Sequence, residues 1–233
     1  MVRPFTRQLR RIVPLVAIAV VLAGCATGTR AELRPELSTT GNPAVDEVLS
    51  RLGTLPDAVY AADYEVHLPA VAGGSGATVR DLTEIAVTTT QAEPNRRSLT
   101  IGDVRFIVEP GQGGGRTCDL STGECESQIA PQRVSDVQMT NDFFGTSLVA
   151  RVRRDAGLAI AEPVASSEDV QGRTATCVAI TLPPPASVPG APPVTTYCVF
   201  DNGVLTRLDA ADITVTMTDY ADEADEQQFL IGP

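Results

Sequence analysis

Hydrophobic positions along the chain change their spacing several times, and each change marks an element. Near the N-terminus the apolar run Ile12 to Ala23 is broken only by Pro14, and a polar stretch from Ala26 to Gly41 follows it without apolar periodicity. Asn42 then offers a helix cap, Pro43 suits the first helical position, and Val45, Val48, Leu49 and Leu52 fall at i, i+3, i+4 and i+7, which predicts a short amphipathic helix ending near Gly53. After Pro56 the spacing falls to two. Tyr60, Ala62, Tyr64, Val66 and Leu68 alternate with Ala61, Asp63, Glu65 and His67, the pattern of a strand with one wet face. Gly73, Gly74 and Gly76 make a turn into a second run, Val79 to Thr89. A third run holds Leu99 and Ile101 and then Val104, Phe106 and Val108, with Gly102-Asp103 between them as a tight hairpin or bulge.

The period becomes helical again between Asn141 and Gly157. Phe144, Leu148 and Val152 recur every four residues, Asp142 is placed for the first turn, and Arg151, Arg153 and Arg154 are placed for the last. From Gly172 onward the pattern is that of antiparallel strands. Thr176, Val178, Ile180 and Leu182 alternate with Ala175, Cys177, Ala179 and Thr181, and a proline-rich loop, Pro183 to Pro193, returns the chain into Tyr197 to Phe200. Asp201-Asn202-Gly203 signals a hairpin. Beyond it Val204, Thr206 and Leu208 share one face and Leu205, Arg207 and Asp209 the other, so apolar residues fall on both sides. Ile213, Val215 and Met217 then alternate with Thr214, Thr216 and Thr218. The order helix, strands, helix, strands predicts an α+β domain built on a large antiparallel sheet, with no internal repeat.

The first 24 residues read as a targeting segment. Arg3, Arg7, Arg10 and Arg11 precede an apolar run of 12 residues, too short for a spanning helix, which needs about 20. The run ends in Leu22-Ala23-Gly24-Cys25, which resembles a bacterial lipobox; Cys25 would then be the lipidated mature N-terminus. The chain divides into a lipoprotein signal peptide (residues 1–24), a flexible tether (25–41) and one domain (42–233).

Charge narrows the function further. The whole chain carries 18 basic against 29 acidic residues, and removing the four arginines of the targeting segment leaves 14 against 29, a balance of -15. That sign excludes tracking of nucleic-acid phosphates and leaves acyl chains, not a polybasic patch, to hold the protein at the cell membrane on its extracytoplasmic face. The absence of Lys beside many Ala, Val and Arg suits a GC-rich, actinobacterial genome.

Export would oxidise the other four thiols. Cys118, Cys125, Cys177 and Cys198 allow three connectivities, and the two local pairs fit best: Cys118 and Cys125 bracket a turn-rich segment, while Cys177 and Cys198 lie in adjacent strand-like runs. No Cys-x-x-Cys or histidine cluster signals a redox or metal centre, and no cofactor is implied. The glycines Gly111 to Gly115 lack the Lys-Ser/Thr and helix of a phosphate loop. His67, beside Glu65, reads as a solvated histidine, not as part of a catalytic triad. The acidic run Asp219, Asp222, Glu223, Asp225 and Glu226 reads as a solvated tail, because it lacks the spacing of a calcium loop.

With the lipobox, the two helices, the alternating strands and the ending Cys198 to Asp209 followed by a Thr-rich strand, residues 43–233 resemble the LolA-like half-barrel lipoproteins of the actinobacterial LppX and LprG type. The resemblance implies a curved antiparallel sheet whose concave face, covered by the helices, holds a lipid or acyl chain. It implies no enzyme. Candidate lining residues are Tyr60, Tyr64, Val66, Phe106, Phe144, Leu148, Val215 and Met217, with a cavity of several hundred Å³ expected beneath the central helix. The alternative is a non-enzymatic interaction or assembly module with a filled core, whose acidic surface would meet a basic protein partner.

Overall fold

The computed structural model describes residues 39–68, 84–93, 96–109, 115–137, 139–184 and 191–230. The signal peptide, Cys25, nearly all of the tether, the turn around Gly73 to Gly76, Gly111 to Gly114 and the middle of the Pro183 to Pro193 loop lie outside these residues.

Eleven antiparallel strands form one sheet. The first meander is β1 (Tyr60–His67), β2 (Ile85–Ala92), β3 (Arg96–Ile101), β4 (Val104–Val108), β5 (Arg116–Asp119) and β6 (Glu124–Glu126). The second is β7 (Val164–Val170), β8 (Arg173–Thr181), β9 (Val194–Val199), β10 (Leu205–Ala210) and β11 (Ile213–Ala221). Each meander pairs in sequence order, and β1 pairs with β11, so the sheet reads β6-β5-β4-β3-β2-β1-β11-β10-β9-β8-β7. At the seam Val66 faces Val215 and Tyr64 faces Met217, and a bulge next to Asp63 shifts the register so that Ala62 faces Tyr220.

Among the described residues three helices accompany the sheet: α1 (Pro43–Leu52), α2 (Pro131–Val137) and α3 (Thr146–Leu158). The Asn42 side chain accepts from the amides of Ala44 and Val45 at 3.0 and 3.2 Å, a cap worth about 1 kcal/mol. Val45, Val48, Leu49 and Leu52 are buried, and α1 packs against β8, β9 and α3. At its end Gly203, in the β9–β10 turn, approaches the Arg51 carbonyl so closely that a Cβ would stand 2.3 Å from it, and its φ of +81° also favours glycine.

Several sequence expectations need correction. Residues 141–145 are turns; α3 starts at Thr146, where Asp142 accepts from the Thr146 hydroxyl instead of lying in the first helical turn. Arg151, Arg153 and Arg154 precede the last turn of α3, which carries no basic residue, so they do not serve the helix dipole there. Of the second run, Ile85 to Thr89 lie in β2, and residues 79–83 lie outside the described residues. In β8 both faces carry buried residues, Ala175 and Cys177 on one and Val178 and Ile180 on the other. The two-sided apolar pattern of β10 follows from a register shift between Leu205 and Arg207, which lets Leu205, Thr206 and Leu208 all be buried. Helix α2 and strand β7, which is mostly exposed and lacks alternation, had no periodic signal.

The acids Asp219, Asp222, Glu223 and Glu226 of the C-terminal run are exposed, as a solvated run would be, but the segment is docked and not a free tail. A short 3-10 turn, Glu226–Phe229, capped by Asp225, docks on the sheet. Phe229 is buried with Ala92, Ile107 and Cys118, and the Arg96 guanidinium lies 4.1 Å from its ring centroid while pairing with Glu226. Asp222 binds Arg173 and the Tyr220 hydroxyl.

Both disulfides join directly facing residues of neighbouring strands, Cys118 with Cys125 across β5–β6 and Cys177 with Cys198 across β8–β9. The chain-entropy model assigns about 3.4 kcal/mol to the Cys177–Cys198 loop and about 2.5 kcal/mol to the shorter one. Replacing Cys177 and Cys198 together by Ala is therefore expected to lower stability more than replacing Cys118 and Cys125. Parallel urea unfolding of the two double variants checks this; the reverse order would contradict it.

Candidate functional site

The site with the clearest construction is the layer between α3 and the sheet. On β1 the inward positions are Tyr60, Ala62, Tyr64 and Val66, and the register carries the same face to Gln91, Thr89 and Val87 on β2, to Leu99 and Ile101 on β3, and to Phe106 on β4. In the other direction it carries to Val215 and Met217 on β11, Leu208 on β10 and Tyr197 on β9. Leu148 and Val152 of α3 and Phe144 just before it are buried against this face. Thus Tyr60, Tyr64, Val66, Phe106, Phe144, Leu148, Val215 and Met217 are all at most 7% exposed and belong to one apolar cluster. The Tyr64 and Phe144 ring centroids are 4.6 Å apart, Phe143 and Phe144 5.1 Å, and the Tyr64 hydroxyl donates to the Leu205 carbonyl at 2.8 Å.

Helix α3 packs beside α1, and its buried side chains belong to the same apolar cluster as the inward face of the sheet. The space left beside Tyr60, Gln91, Leu99, Phe106 and Phe144 is only about 20 Å³. The rings of Tyr64, Phe143 and Phe144 pack against one another within the layer.

Polar contacts that periodicity did not single out hold α3 in place. Asp155, 1% exposed, accepts a hydrogen bond from the Tyr197 hydroxyl and two from the Arg154 guanidinium at 2.9 and 3.0 Å. Arg151 donates to the Tyr197 oxygen at 3.2 Å and forms a two-point pair with Asp212 at the β10–β11 turn. That pair holds the Asp212 carboxyl below its ordinary value, the Arg151 hydrogen bond being the larger cause. One signal existed in the sequence: Asp155 lies at i+7 from Leu148 and i+3 from Val152, a carboxylate on the apolar stripe. At the other end Arg97 pairs with Asp142 at 3.1 Å, and the buried Gln91 amide donates to the carbonyls of Leu55, Pro56 and Ala58.

His67 lies on the opposite face of β1, where its Nε2 meets Glu65 at 2.9 Å. A polar cleft of about 320 Å³, bordered by Asp63, Thr88, Asp219, Tyr220, Asp225 and Gln228, lies where the central strands meet the C-terminal turn. Among the described residues no helix is long and apolar enough to cross a membrane.

No family model and no curated protein matches the chain. Among solved structures it is similar to MucB of Pseudomonas aeruginosa in complex with MucA, with 14% identity and a TM-score of 0.47 over 81% of this chain and 61% of that one. It is also similar to MucB in complex with MucA(peri), at 10% identity and a TM-score of 0.40 over 79% of this chain and 57% of that one. A LolA superfamily protein from Nitrosomonas europaea is similar at 11% identity and a TM-score of 0.22, over 80% of this chain and 97% of that one. The chain spans about three fifths of the length of the MucB chains it matches.

Burial raises the phenol pKa of Tyr60 to about 12 and those of Tyr64 and Tyr197 further. An acid whose pKa rises on folding keeps its proton while the unfolded chain loses it, so stability is intact below pH 10 and falls as pH climbs from 10 through 12. Tyrosinate absorbance from these residues is expected to appear together with loss of near-ultraviolet circular dichroism. Full titration of all four tyrosines near pH 10 with the dichroism unchanged would contradict their burial.

Proposed function

We propose that this protein is a lipid-anchored extracytoplasmic lipoprotein that takes an apolar ligand, a lipid or acyl chain, between α3 and the sheet. The observation that carries the reading is the construction of that layer. A helix covers one face of an eleven-stranded sheet, rings and long apolar side chains pack between them, and polar contacts at the margin hold the helix down. In this reading Tyr64, Phe143, Phe144, Leu148 and Met217 move aside to admit a chain of similar cross-section. The two disulfides favour an oxidising compartment, and the lipobox at Cys25 supplies the anchor.

Lipids extracted from freshly purified protein and analysed by mass spectrometry, together with binding of a fluorescent fatty acid, test the proposal. Val215→Trp fills the layer next to Val66 and is expected to reduce probe uptake several-fold, whereas Tyr197→Phe removes the hydroxyl that ties Asp155 to the sheet and is expected to speed uptake at a cost of about 1 to 3 kcal/mol. Absence of both extractable lipid and probe binding would overturn the carrier reading. Cys25→Ala is expected to abolish palmitate labelling and release the protein from membranes; labelling that persists would refute the anchor.

A second reading has its own observation. Leu158, Ile160, Val164 and Val194, each more than half exposed, gather where α3 ends beside β7, β8 and β9: the Ile160 amide donates to Thr181, which faces Val194. An apolar corner on an edge strand suits a protein partner. In that case the partner is basic, Val164→Glu weakens its binding, and added salt weakens it too.

A further inference from the structure

On the face of the sheet turned away from α3, β1 and the start of β2 bring together three side chains that can ligate a cation. We propose that Glu65, His67 and Glu84 form a surface site for a single zinc ion. The placement follows from strand geometry. Glu65 and His67 are two residues apart on β1 and therefore share a face. Glu65 pairs with Ala86 and Val66 with Ile85, so the next step of the same register sets His67 opposite Glu84. One imidazole nitrogen and two carboxylate oxygens lie within 4.8 Å of one another, and His67 Nε2 is 2.9 Å from Glu65 Oε1.

Ligand bonds of about 2.0 to 2.2 Å around a tetrahedral ion separate neighbouring donors by roughly 3.4 Å. The three donors are thus within a side-chain rotation of that spacing, and both glutamates are exposed enough to make it. One imidazole with two carboxylates is a zinc-type donor set, whereas calcium and magnesium take oxygen ligands throughout. The fourth position would be open to water.

The surroundings favour a cation. The β11 neighbours of Glu65 and His67 are Thr216 and Thr214, which carry no charge, and Arg207, one strand further, is bound to Glu168 at 2.8 Å. Among the described residues neither Glu65 nor Glu84 pairs with an arginine. Asp63 and Asp219 continue the negative potential along the same face. A zinc ion held there would tie the end of β1 to the start of β2. Since the site faces away from the apolar layer, it stands or falls independently of lipid binding.

The test uses the tag-free full chain in detergent, with zinc titrated against a chromophoric chelator and by nuclear magnetic resonance. His67 is the only histidine, so its ring resonances report the site without ambiguity. Saturable shifts of those resonances with one equivalent of zinc, and no shift with magnesium, are expected. His67→Ala and Glu84→Gln are expected to lower zinc affinity by at least roughly tenfold, while Glu223→Gln, an exposed carboxylate elsewhere, leaves it unchanged. Ring resonances that ignore zinc, or affinity retained in His67→Ala, would overturn the site. A loss in Glu223→Gln equal to that in Glu84→Gln would reduce it to diffuse charge attraction and overturn it equally.

Discussion

The pairing of the first strand with the last governs the architecture. Because β1 joins β11, two sequential meanders fuse into one sheet, and the strands adjacent to the middle of the chain, β6 and β7, become its two outer edges. Ten inter-strand spacings of about 4.8 Å put those edges roughly 48 Å apart along a flat sheet. The segment between them, residues 127–163, must make that journey, and it carries α2 and α3. The central helix therefore lies over the sheet because the topology obliges the chain to travel from one edge to the other.

A crossing helix held only by greasy contacts could slide, since hydrophobic attraction has little direction. Directional contacts fix it. Arg97 and Asp142 hold the turns before α3, and Asp155 meets Tyr197 on β9 with Arg151 and Asp212 alongside. Burying the Asp155 carboxylate is costly unless its lone pairs are filled, and here the Tyr197 hydroxyl and the Arg154 guanidinium fill them. The arrangement sets one seating for α3 on the sheet.

The sequence carried this fold unevenly, for physical reasons. The alternation from Tyr60 to His67 and from Ile213 to Thr218 was plain because these strands have one packed face and one wet face. In β8 and β10 burial on both faces erased the contrast, and in β7 exposure on both faces did the same from the opposite side. The facing positions of Cys118 with Cys125 and of Cys177 with Cys198 agreed with turn chemistry, which is local. Phe229 was harder: its partners Ala92, Ile107 and Cys118 lie more than 100 positions away, so no local pattern could dock the acidic segment around it. The candidate lining residues were legible as buried positions. The state of the space among them was not, because periodicity records which side chains face inward and not how completely they fill the layer.

The surplus of acid is distributed with structure. Arg51, Arg96, Arg97, Arg116, Arg133, Arg151, Arg173 and Arg207 each sit against a carboxylate, and most of these pairs join segments far apart in sequence. Exposed pairs of this kind add little stability individually, but they consume the positive charge of the domain where elements are pinned to one another. Negative charge also stands on the outward face of the central strands at Asp63, Glu65, Glu84 and Asp219. Asp63 and Asp219 even face each other across the β1–β11 seam, a juxtaposition that costs stability, and Thr88 relieves it by donating to Asp63 at 2.6 Å. The two faces of the seam thus differ in kind. The inward one packs Tyr64, Val66, Val215 and Met217 into the apolar cluster, while the outward one turns carboxylates and one imidazole to the surface, and the same two strands fix both.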